Sequence, residues 1–334
     1  MKVLQWISIL ILPLSISCQK AICSSSDAVC NRGAQSILIQ QLISSTPLSQ
    51  TPSVDLFVAV GNSGSIWWTT NGTTVNSALF TSTQPTNHLK SVAYGNGRFV
   101  AVGENATVLY STDGKTWITT SCTGCGNFTD VAFGNGIFLA STATGIRRTV
   151  DGITWSQNTN YQDQNFTSIT KIRFGSGIFL IIDNASNSSY STGATAWSSN
   201  IAVGATNTSM AYNGSYFVAL RSGGANVFNP STYSWSAVTN PGAYTFTDGI
   251  YGNALAVFVA SGGNIVFTRD SGTTYSTFTA QCNSENINSI AYGKGMFIGV
   301  GANQDTCLNT DGAAAIWTRQ GTTAGPMNKI IYVP

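Results

Sequence analysis

Seven copies of one unit, each marked by a phenylalanine, predict an all-β fold: a seven-bladed β-propeller of four-stranded blades. The markers are Phe57, Phe99, Phe138, Phe179, Phe217, Phe258 and Phe297, spaced 38 to 42 residues apart. A period near 40 with several short strands per copy is the pattern of blades around an axis. The chain ends supply the closing observation. The first copy begins at its second strand, LFVAV at 56–60, while MNKIIYV at 327–333 matches the first strand LKSVAYG at 89–95. The C-terminal strand is therefore expected to complete the first blade and remove two exposed sheet edges.

Before the repeats, residues 1–17 read as a signal peptide. Lys2 gives a short positive start, residues 3–14 are an apolar run, and Ser15 to Ser17 are small or short. A dozen apolar residues fall short of the roughly 20 that span a bilayer. Cys18 follows directly, as in a bacterial lipobox, with Ser15 where the strict pattern has Leu. Lipidation of Cys18 is the expectation, and ordinary cleavage before it is the alternative. Residues 18–53, rich in Ser, Thr and Gln, suit a lipid-anchored tether, and 54–334 form the propeller.

Within a copy, four strands can be read. In the clearest, VAYGNGRFVAVG at 92–103, an apolar strand meets a Gly-Asn-Gly turn and a second strand follows. TVLYSTDGKTW at 107–117 is a third strand, an Asp-Gly turn, and a fourth strand starting near its Trp. The turn motif is complete at Ser111, Asp113, Gly114, Thr116 and Trp117, and nearly so at Asp151, Gly152 and Trp155. Degraded forms hold Asn71, Asp270 and Asp311. Their chemistry is local: the acid accepts turn amides, glycine takes the left-handed position, and the aromatic packs between blades.

With these Asp-boxes the chain resembles the bacterial neuraminidase or Asp-box repeat propellers over roughly residues 54–334. That family includes sialidases and the photosystem II assembly factors, and the chain looks most like its exported lipoproteins. The resemblance to sialidases implies three arginines around a substrate carboxylate, a Tyr–Glu nucleophile pair and an Asp acid. The Arg-Ile-Pro signature before the first Asp-box is absent. The chain has two glutamates, Glu104 and Glu285, both expected in loops. No enzymatic activity is therefore expected.

Composition narrows the rest. Charged residues are 8% of the chain, against about 25% in an average domain, and net charge is +2. No basic stripe for nucleic acid exists in such a sequence. With a single histidine, His88, and scarce acids, neither a metal nor a cofactor is expected. Seven cysteines become six once Cys18 is set aside, and an exported chain can pair them. Cys23 with Cys30 and Cys122 with Cys125 are near in sequence. The repeat register puts Cys282, leading into blade 7, and Cys307, in its third strand, on one face; two unrelated thiols are the alternative. Tyr161, Phe166, Tyr244, Phe246 and Phe278 fall in or beside the connections between blades, amid Asn, Ser and Thr. They either form an uncharged binding surface or cap the core. Arg147 and Arg148 interrupt a third strand and read as solvated edge charge.

The expected function is a noncatalytic, lipid-anchored monomer of the bacterial envelope, presenting a face to a glycan or an extracytoplasmic protein. A sialidase-like glycoside hydrolase and an assembly factor for another exported protein are the alternatives.

Overall fold

The computed structural model describes residues 54–334 apart from 143–144, 158–165, 167, 204–206, 239–240, 280–285, 303–304, 313–316 and 322–324. The expected signal peptide and tether, with Cys18, Cys23, Cys30, Tyr161, Cys282 and Glu285, lie outside the described residues.

Seven antiparallel sheets are arranged as the repeat predicts. In blade 2, Leu89–Gly95 is innermost, followed outward by Arg98–Gly103, Thr107–Ser111 and Thr116–Ser121. The inner strands of blades 3 to 7 are Phe128–Gly134, Ile169–Gly175, Ser209–Tyr212, Phe246–Gly252 and Ile287–Gly293. Blade 1 takes its inner strand from the C-terminus. Met327–Val333 pairs antiparallel with Leu56–Gly61, with Leu56 opposite Val333, and the ring is closed.

Each second strand lies between two neighbouring blades, so both of its faces are covered. Leu56–Gly61 and Leu255–Ala260 are buried at every position, which explains their unbroken apolar sequence. Adjacent blades also interlock beside the axis. The glycine ending one inner strand receives the aromatic ring of the next: Gly95 with Phe133, Gly134 with Phe174, Gly175 with Tyr212, Gly252 with Tyr292, Gly293 with Tyr332. A Cβ on Gly252 would lie 2.1 Å from the Tyr292 ring, so no larger residue fits there.

The Asp-Gly turns close the third and fourth strands. Asp113 Oδ1 accepts from the amides of Lys115 and Thr116 at 2.8 and 2.7 Å, and Gly114 sits at φ 70°. Asp151 makes the same pair of bonds to Ile153 and Thr154, both 2.8 Å. Trp117 is fully buried and donates its indole N–H to the Gly114 carbonyl at 3.1 Å. Burial alone would raise these carboxyls; the accepted amides outweigh it, and Asp151 falls to about 2. Asp270 is held at about 2 against the same burial effect, chiefly by Thr274. Asp311 O accepts from the Asn253 amide.

One element went unread in the sequence. Leu79–Phe80 adds a fifth strand to blade 2, pairing parallel with Thr116–Trp117. The connection from blade 1 runs along this edge: Leu79 N donates to Lys115 O, and Thr119 N to Ser82 Oγ. It thereby satisfies edge groups that would otherwise face water or another strand.

Candidate functional site

Inner strands present one free edge to the axis, so their outward-facing amides need partners other than a strand. One polar column of the repeat, the third residue of the inner strand except in blade 5, whose strand begins at it, meets that need between blades 3 and 4, 6 and 7, and 7 and 1. Opposite the same position of each second strand stand Ser91, Asp130, Lys171, Ser209, Asp248, Ser289 and Lys329. Asp130 Oδ2 accepts from Ile172 N of the next blade at 3.0 Å, and Ser289 Oγ from Ile330 N at 3.2 Å. Ser91 Oγ donates to Asp130 Oδ1 at 2.7 Å, and Ser289 Oγ to Asp248 Oδ2 at 2.5 Å.

Arg173, two residues beyond Lys171, connects the two acids. Its Nη1 is 2.9 Å from Asp130 Oδ2 and its Nη2 is 2.6 Å from Asp248 Oδ1, while Nε donates to Met210 O at 3.1 Å. Lys329 Nζ reaches Asp248 Oδ2 at 2.5 Å. The carboxylates are buried at 5% and 1% side-chain exposure; Arg173 and Lys329 retain 16% and 14%. Burial opposes ionisation of Asp248, but Lys329 and Arg173 hold it well below the ordinary carboxylate range. Asp130 is lowered as well, by Arg173 and Lys171 against the same burial. Burial dominates at Lys329, whose amine is pushed down to about 8 despite Asp248.

Beside this network lies a cavity of about 420 Å³ on the axis, walled by the inner strands of six blades. Its apolar lining includes Val92, Val131, Ile172, Ile290 and Ile331, and the aromatics Tyr94, Phe133, Tyr292 and Tyr332 also face it. Arg173 and Lys329 are its charged lining residues; Asp130 and Asp248 stand behind them and outside the wall. Among the described residues, no group of three or more His, Cys, Asp or Glu is arranged to hold a metal ion.

The sequence-derived candidates are dispersed. Phe246 starts the inner strand of blade 6 and is buried, and half-buried Tyr244 packs edge-on against it at 5.9 Å. Phe166 packs on the core between blades 3 and 4. Phe278 is in the outer strand Ser276–Thr279, with its side chain outside the described residues. Cys122 and Cys125 form a buried disulfide with Cα atoms 5.5 Å apart. Cys307 is disulfide-bonded, its partner lying outside the described residues. Glu104 is ion-paired with Lys90 at 2.7 Å, and His88 Nδ1 accepts from Ser63 N at 3.0 Å.

Arg147 corrects the expectation of solvated edge charge. It is 8% exposed, and its Nη2 donates to the Gly124 carbonyl inside the Cys122–Cys125 loop at 2.8 Å. A third strand is interior in its blade, which leaves one of two adjacent side chains buried against a neighbour. Half-buried Arg148 is the other.

Asp130, Arg173, Asp248 and Lys329 were missed as a group. For Asp130, Asp248 and Lys329 the signal was a column of the repeat that holds Ser, Asp or Lys in all seven copies, within strands otherwise largely apolar; Arg173, two positions on, stands outside that column.

No family model and no curated protein matches the sequence. Solved structures share the architecture. A chain described as "YCF48 bound to D1 peptide" aligns at TM-score 0.57 and 17% identity, covering 70% of this chain and 82% of that one. YCF48 from Cyanidioschyzon merolae aligns at 0.56 and 17%, covering 78% and 94%. The computationally designed Ika8 protein aligns at 0.60 and 13%, covering 82% and 86%. At such identities the likeness is one of fold.

Proposed function

We propose that this chain is a noncatalytic recognition propeller: exported, held at a membrane by lipid on Cys18, and binding a protein partner at its axial mouth. The axial cavity carries this reading, because it is the place where an apolar hollow and converging polar groups coincide. The glycosidase alternative lacks support in the described residues. Retaining hydrolysis needs two carboxyls about 5 Å apart flanking a sugar. Here Asp130 and Asp248 are engaged by Arg173, and Glu104 by Lys90. That a propeller of similar fold has been solved with a bound peptide favours a protein partner over a glycan.

Affinity capture from the native envelope tests the proposal. A protein should co-purify with the wild type and be lost with Ile331→Trp, which fills the cavity. Capture unaffected by that substitution would contradict an axial site. Robust fluorogenic glycoside turnover, abolished by Glu104→Gln or Glu285→Gln, would overturn the noncatalytic reading. Cys18→Ala should shift the protein from membranes to the soluble fraction, since stable anchoring depends on the acyl chains.

A further inference from the structure

We infer that the axial cavity is built to take the carboxylate of an otherwise apolar ligand, seated against Lys329 and Arg173. The inference rests on reading the cavity as the binding site and adds the chemistry of what enters it. Charge complementarity is the first ground. Arg173 and Lys329 line the cavity while their partners Asp130 and Asp248 do not, and Lys171, outside the wall, leaves the cluster one positive charge in excess. The face turned to the cavity is therefore positive and draws an anion. A single surplus charge suits a monoanion better than a dianionic phosphate.

Placement is the second ground. The carboxylates are withdrawn behind the wall, whereas Arg173 and Lys329 line the cavity and keep part of their surface free. Lys329 retains unspent donor capacity, since an ammonium has three protons and one is directed at Asp248, while Arg173, bonded to Asp130, Asp248, Met210 O and Ile172 O, keeps one N–H. The remaining wall is aliphatic and aromatic, which favours an alkyl or aryl chain behind the anion. About 420 Å³ lies within the range of small-ligand pockets.

Octanoate, octanamide, octylammonium and octyl phosphate are suitable probes, titrated into the full-length protein by calorimetry. Octanoate should bind at least about 10-fold more tightly than octanamide, as expected for a charge-assisted hydrogen bond. It should also outcompete octyl phosphate, and octylammonium should not bind. Raising pH through about 8 strips the proton from Lys329 and should weaken octanoate binding, with octanamide unchanged.

The other groups around Lys329 need separate accounting. Asp130 and Asp248 ionise far below that window, Arg173 protonates above it, and Tyr332 titrates near 12. Lys171→Met, Tyr94→Phe and Tyr292→Phe control for the remainder, and all three should keep the pH response. Lys329→Met should abolish both the preference and the response. If that variant fails to fold, the wild-type ligand series and pH profile still decide.

Equal affinity for octanoate and octanamide, tighter binding of octyl phosphate, or no binding of any probe would overturn the inference. Octanoate selectivity without any co-purified partner would leave it standing and count against the protein-partner reading alone. A captured partner that saturating octanoate displaces supports both.

Discussion

Blades 6 and 7 meet through the same repeat positions as blades 5 and 6, with opposite results. Between 6 and 7, Thr247 Oγ1 donates to Ile287 O at 2.5 Å, Asp248 engages Ser289, and Tyr292 packs on Gly252. Between 5 and 6, the equivalent Thr208 and Ser209 hydroxyls are buried without a hydrogen-bond partner among the described residues. Asn213 stands where the glycine would be, and the next aromatic, Tyr251, is 40% exposed. Asn213 Nδ2 donates to Ser271 Oγ of blade 6 at 2.9 Å, and beside the axis the junction is spanned by Arg173, running from blade 4 past Met210 O of blade 5 to Asp248 of blade 6. Charge at the axis is therefore placed where the threonine, serine and glycine–aromatic contacts fail. The guanidinium that braces the ring is also one of the two cations lining the cavity.

The comparison can be broken by substitution. Arg173→Met should have the largest effect, because it leaves the buried Asp130 without its ion-pair partner and Asp248 with Lys329 alone; removing one partner of a buried pair costs about 3–5 kcal/mol. Chemical denaturation would measure it. A loss under 1 kcal/mol would mean that Arg173 does not brace the junction.

Tyr292→Ala should cost about 2–3 kcal/mol, as for a half-buried aromatic truncated beside a glycine that cannot fill the gap. Tyr251→Ala, at the exposed counterpart, should cost less than about 1 kcal/mol. Equal losses would erase the distinction between the two junctions.

The threonines give the smallest and sharpest contrast. Thr247→Val should cost about 1 kcal/mol, the net worth of its hydrogen bond. Thr208→Val removes a buried hydroxyl with no partner and should be neutral or stabilising. A reversed order would refute the assignment of clasped and bare interfaces.

Blade number, strand order and closure were legible because the repeat writes them several times over. Six of the seven phenylalanines stand opposite the aromatic of their inner strand and set the period; in blade 6 Ala256 holds that place opposite Tyr251, and Phe258 lies two residues on. MNKIIYV found its place by matching LKSVAYG. The site was harder to read because it exists only in the closed ring. Asp130, Arg173, Asp248 and Lys329 are up to 199 positions apart and meet because seven strands converge. Each alone looks like an ordinary strand-edge charge. Phe246 could be read either as a surface aromatic or as a cap on the core, and the strand it begins turns it inward, into the core. Leu79–Phe80 is too short to carry a periodicity of its own, and only its neighbour makes it a strand.

Photocrosslinking from inside the axial cavity asks directly whether a protein partner is bound there. A benzophenone amino acid replacing Ile331, which lines the cavity, would be compared with one replacing Leu79, exposed on the outer edge of blade 2. After irradiation in the native envelope, position 331 should yield a discrete adduct with one protein partner, weakened by added octanoate, and position 79 should not. An adduct formed from position 79 alone, with position 331 silent in folded protein, would contradict recognition at the axis.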